Sequence, residues 1–149
     1  MKFIFVFLSI IALVSAAAIA PCRPGTRLSH AQALRILNAA GIGVTSSGHC
    51  SARNRPTCTS LDTIRCETLT GLIAFKQASR CAITVTGGTE TGHENGPHSH
   101  WNGYKVDCHM TPCLTSYIHA HFRKTDNTHW MSGRNIYHYE GNHWDITYF

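Results

Sequence analysis

The sequence predicts an α+β fold: a small antiparallel sheet with helices packed on one side, stabilised by disulfides. Three observations carry this expectation. Apolar residues recur at helical spacing in residues 29–41 and 60–78, and Thr111-Pro112 opens a third helix. Ala82-Ile83-Thr84-Val85-Thr86 alternates and is β-branched, and the aromatic-rich C-terminal stretch alternates in the same way. Seven cysteines sit at 22, 50, 58, 66, 81, 108 and 113 without a Cys-x-x-Cys pair, which favours bridges over a zinc finger.

The chain starts with Met1-Lys2-Phe3, an apolar run from Ile4 to Val14, and the small residues Ser15 to Ala18. This is the pattern of a secretory signal peptide over residues 1–18, with cleavage after Ala18. The run is shorter than the roughly 20 residues a spanning helix requires. The expectation is a secreted, extracellular protein with no membrane attachment after cleavage. Residues 19–149 read as one domain, a helical segment at about 26–58 followed by a core at about 59–149.

Within that domain, Ser29 is an N-cap for a helix that Gly41 ends. Residues 45–57 are rich in Ser, Gly, Asn and Arg and form a loop. A second helix is expected from about Ser60 to Ala78. After the strand at 82–86, residues 87–97 make a polar, glycine-rich loop, and Tyr104 to Asp107 a short strand. Thr111 caps a helix through about Phe122, with Pro112 at its first position. Trp130-Met131, Ile136–Tyr139 and Trp144–Tyr148 complete the sheet, and Gly141-Asn142 turns between the last two. An odd number of cysteines allows three internal bridges and one spare thiol. Cys108 and Cys113 are placed to close a small loop, whereas Cys66 and Cys81 are expected to bond elsewhere. The net charge of +5 suits a polyanionic target or simply a soluble basic surface.

The chemistry concentrates in His100-x-x-Gly103-x-x-x-Asp107 and Glu140-x-x-His143. Two imidazoles and a carboxylate match the three-ligand inventory that a catalytic zinc needs, and Glu140 is a candidate base for the water at its open position. Both halves fall at strand ends and a hairpin, unlike the single helix of a His-Glu-x-x-His protease.

These residues, with Trp144 after the last histidine, resemble the D-Ala-D-Ala carboxypeptidase family of zinc metallopeptidases, which shares a superfamily with lysostaphin-type enzymes and the hedgehog signalling domain. The resemblance spans about 61–149 and points to the small secreted, fungal- or phage-type cell-wall form. It implies one Zn2+ held by His100, Asp107 and His143, Glu140 as catalytic base, and peptide bonds of bacterial peptidoglycan as substrate. No nucleic acid partner is expected, and the protein is expected to be a monomer. Three positions depart from the family pattern. His98 stands where a serine is common, Lys105 where a small residue is, and Thr86-Gly87-Gly88-Thr89-Glu90 lacks the arginine that holds the substrate carbonyl. His98, His93 and His138 are candidates to replace that arginine. His98, His138, Tyr104 and Trp144 are candidate substrate-binding residues, and Asp145 is placed to orient a ligating histidine through its second nitrogen. Two other readings remain open on the residues alone: a metal-independent secreted ribonuclease, and a zinc-binding relative without turnover.

Overall fold

The computed structural model describes residues 21–149, so the expected signal peptide lies outside the described residues. Among these residues, the α+β class holds, with three helices and two sheets. Helix α1, His30–Ala39, begins at a complete capping box: Ser29 accepts from the Gln32 amide while the Gln32 side chain reaches back to the Ser29 N–H. Ala33 and Leu37 form its buried face. Helix α2 is Cys66–Ser79, and helix α3 is Pro112–His121, capped by Thr111 as its sequence predicts.

Helix α2 starts later than its apolar spacing suggests, because tertiary hydrogen bonds take the backbone groups of residues 60–65. The Ser60 N–H goes to Glu90 Oε2, the Ser60 carbonyl accepts from the Thr89 N–H, and the Leu61 N–H goes to His30 Nδ1. Thr63 then takes φ +63, outside the helical region. Ile64–Arg65 instead forms a short strand, β3, against β1, Arg27–Leu28.

The main sheet has seven strands: β2 (Gly43–Val44), β4 (Thr84–Gly87), β5 (Lys105–His109), β9 (His143–Thr147), β8 (Asn135–Tyr139), β7 (His129–Ser132) and β6 (Arg123–Lys124), in that spatial order. The β2–β4 pair at one edge is parallel and every other pair is antiparallel. Period-two alternation divides the two faces. Val106, Cys108, Trp144 and Ile146 are fully buried in the core. Phe75 of α2 meets Tyr137 edge-on at 5.2 Å, and Trp144 Nε1 donates to Thr115 Oγ1 of α3, so helices cover this face. Lys105, Asp107, His143 and Asp145 point the other way.

Three disulfides join Cys22 to Cys66, Cys50 to Cys58, and Cys81 to Cys113. The expected Cys108–Cys113 loop does not form. Alternation along β5 sends the Cys108 side chain into the core, where it is a free thiol, while Cys113 ties the first turn of α3 to Cys81 beyond α2. Such bridges belong to an oxidising, extracellular-type environment. No helix among the described residues is long and apolar enough to cross a membrane.

Candidate metal centre

Strand register assembles a row of functional side chains across the helix-free face. Gly87 of β4 stands opposite Asp107 of β5, Asp107 opposite Asp145 of β9, Asp145 opposite His138 of β8, and His138 opposite His129 of β7. Gly87 is needed here, since a Cβ would collide with Asp107 Oδ2. The loop after β4 lays His100 against this row. A turn from His100 to Gly103, closed by the Gly103 N–H on the His100 carbonyl at 2.8 Å, fixes the imidazole. Gly103 has φ +74, and a Cβ there would come within 2.7 Å of the Thr63 carbonyl. Glu140 and His143 flank the Gly141-Asn142 turn between β8 and β9, with the Glu140 N–H donating to the His143 carbonyl at 3.1 Å.

Both histidines present Nε2 to the same carboxylate oxygen. His100 Nε2 is 3.3 Å and His143 Nε2 3.6 Å from Asp107 Oδ1. Their other ring nitrogens are engaged: His100 Nδ1 donates to the Gly88 carbonyl at 2.6 Å and His143 Nδ1 to Asn142 Oδ1 at 2.7 Å. Hydrogen-bonded Nδ1 with a free Nε2 is the usual arrangement of a metal-ligating histidine. Asp145 does not play the orienting part expected of it, because Gly88 and Asn142 already do.

His100 Nε2 and Asp107 Oδ1 are buried, and neither makes a hydrogen bond despite their proximity. Buried polar atoms without partners are uncommon and costly. Two ligands about 2.0–2.1 Å from a tetrahedral ion stand about 3.3 Å apart, close to both separations. Each pair therefore fits a metal ion. Among the described residues, the groups whose ligand atoms all lie within 4.8 Å of one another are His93, His100 and Asp107, and His138, Glu140 and Asp145, with His143 joined to the first through Asp107 alone. Burial opposes charge on His100, but the Asp107 and Asp145 carboxylates outweigh it and raise the imidazole from 6.5 to about 9. This corner of the site calls for a cation, either a proton on Nε2 or a metal ion in its place.

The second carboxylate also lies at the site. Glu140 Oε2 is 3.2 Å from His143 Nε2, and Glu140 Oε1 is 3.0 Å from His138 Nδ1. His138 stacks on His129 at 4.0 Å and is thus held from behind. On the far side Lys105 Nζ donates to Asp145 Oδ2 at 2.8 Å. Burial pushes Asp145 up, but His100 and Lys105 outweigh that and hold it at about 2.

The sequence offers His93 only as a stand-in for an arginine, and the structure places it directly over His100. The rings are 3.8 Å apart and inclined by 18°. His93, His100 and Asp107 offer ligand atoms within 4.8 Å of one another. A metal bonds to imidazole in the ring plane, so two face-to-face rings cannot both aim a lone pair at one ion. His93 therefore positions its neighbours. Its Nε2 is 3.0 Å from the buried Glu90 carboxylate and its Nδ1 is 3.7 Å from Asp107 Oδ2. Burial raises the Glu90 pKa, but hydrogen bonds from His93 and from the Ser60 and Gly88 amides outweigh it and leave the group below its ordinary 4.5.

These groups open into a cleft of about 420 Å³, walled by His93, His100, Lys105, Asp107, Glu140 and Asp145. Of the four expected substrate contacts, His138 lines the cleft. Trp144 does not: it is fully buried on the helix-covered face, as alternation from His143 dictates. His98 and Tyr104 pack on each other and on Phe149, away from the cleft. Lys105, Glu90 and His129 were missed as site residues. For Lys105 the signal was present, since a residue two before Asp107 on a strand shares its face. Comparison with protein-family models, curated proteins and solved structures finds no match for the chain.

Proposed function

We propose that this protein is a secreted zinc-dependent peptidase that hydrolyses bonds in the stem peptides of bacterial peptidoglycan. One observation carries the reading: His100 Nε2 and His143 Nε2 converge on one Asp107 oxygen, with Glu140 3.2 Å from the second imidazole. Two nitrogens and a carboxylate oxygen suit Zn2+ and leave a coordination position open. An ion bound there supplies Lewis acidity, polarising a carbonyl and acidifying a water.

The chain's own residues do the remainder. Gly88 and Asn142 hold both imidazoles in the tautomer that leaves Nε2 unprotonated. Glu140 takes a proton from the attacking water as its oxygen bonds to the carbonyl carbon, then delivers that proton to the nitrogen as the C–N bond breaks. His138 keeps the Glu140 carboxylate turned toward this point. Three disulfides support export to an oxidising compartment.

The test is incubation of the purified protein with peptidoglycan, with and without a chelator, followed by mass spectrometry of released fragments. Peptide fragments that appear with zinc and vanish with chelator are expected. Bound zinc with intact peptidoglycan would instead indicate metal binding without turnover, and phosphodiester cleavage that survives chelation would favour a ribonuclease.

A further inference from the structure

Lys105 is the one Lys or Arg among the described residues that wall the cleft. It precedes Asp107 by two on β5 and so shares its face. Its ammonium makes a single hydrogen bond, to Asp145 Oδ2 at 2.8 Å, which leaves two N–H groups for another acceptor. Asp145 is buried, yet 27% of the Lys105 side chain remains exposed on the cleft side. Asp145 holds the ammonium at the cleft wall, where its remaining N–H groups meet no acceptor among the described residues. Anchoring by Asp145 also removes part of the conformational freedom that a lysine loses when it binds a ligand.

The same Asp145 oxygen lies 3.8 Å from His100 Nε2, so one carboxylate oxygen spans the gap between ammonium and imidazole. We infer that Lys105 is a substrate-binding cation that receives a free α-carboxylate on the residue following the cleaved bond. The inference rests on the peptidase reading and deepens it. In such a residue the carboxylate carbon follows the scissile carbonyl carbon through N and Cα, about 3–4 Å away. A carbonyl seated at the His100, Asp107 and His143 corner brings that carboxylate toward Lys105. Two stem-peptide sources carry this chemistry: a C-terminal D-alanine, and a γ-linked D-glutamate whose α-carboxylate is free.

The experiment uses two peptide pairs with the purified zinc-loaded protein: an N-acyl peptide ending in D-Ala-D-Ala as acid and as C-terminal amide, and an N-acyl L-Ala-γ-D-Glu peptide with its α-carboxylate free or amidated. The wild type is expected to favour one acid over its amide by about 10- to 100-fold in kcat/KM, chiefly through KM, and the favoured pair identifies the source. Lys105→Met should collapse that ratio to near one at unchanged zinc content, and Lys105→Arg should retain most of it. A Lys105→Met protein that keeps the wild-type ratio overturns the assignment. Calorimetric binding of the same peptides to Glu140→Gln protein, with and without Lys105→Met, separates the two layers. A preference for acid that depends on Lys105, without cleavage by wild type, upholds the anchor and sinks the peptidase. Equal binding of both acids and their amides to Glu140→Gln protein sinks the anchor.

Discussion

Gly87 stands opposite Asp107 across the β4–β5 ladder, and the space of its missing side chain is filled by the Asp107 carboxylate. A methyl group at 87 must push that carboxylate out of line with His100 and His143. Gly87→Ala is therefore expected to weaken zinc binding by about 10- to 100-fold while the protein stays folded. Competition with a fluorescent chelator measures this, and unchanged affinity would show that Asp107 is not a ligand.

Glu140 is partly exposed and touches the site through His138 and His143. Glu140→Gln keeps the shape and removes the carboxylate proposed as the base. Hydrolysis should fall by at least about 10²- to 10⁴-fold with zinc stoichiometry still at one per chain. Loss of zinc along with activity would make Glu140 a ligand instead.

His100 and His93 are stacked rings with different expected roles. His100→Ala should abolish stoichiometric zinc binding. His93→Ala should leave one ion bound with affinity reduced by about 10-fold, the scale of a supporting contact. Equilibrium dialysis with elemental analysis separates the two, and equal losses would contradict the ring-plane argument.

Glu90 accepts hydrogen bonds from the Ser60 and Gly88 amides and holds His93. Because its folded pKa lies below 4.5, its charge stabilises the fold above the unfolded value, and that contribution is lost as pH falls through the folded one. Glu90→Gln should cost about 2–3 kcal/mol at pH 7, and the gap to wild type should narrow steadily below pH 4.5. Urea titrations of both proteins from pH 7 to pH 3 check this. A gap that is independent of pH would mean that shape, not charge, is what Glu90 contributes.

Local signals made most elements legible. Ser29, Thr111 with Pro112, and Gly141-Asn142 each bound an element through contacts within a few residues, and all three act as read. The start of α2 was not legible, because Glu90, Thr89 and His30 capture residues 60 and 61 from distant parts of the chain. The same distinction holds at the site. A turn sets the His100–Asp107 half locally and a hairpin the Glu140–His143 half, while the pairing of β5 with β9, which no local pattern announces, brings the halves together. The stacking of His93 depends on a buried Glu90 whose partners come from Ser60, and no pattern around His93 announces that. Trp144 faces the core and not the cleft, as alternation from His143 dictates.

Cys108 stands outside the three bridges and is sealed beneath the sheet, where burial holds its thiol far above the usual range. It adjoins Asp107 in sequence yet faces away from it. An alkylating reagent can reach this sulfur only when the central strands part, so its rate of modification acts as a clock for opening of the sheet that carries the ligands. If zinc clamps β5 to β9 through Asp107 and His143, that clock should slow as the metal is added, with no label needing to be introduced.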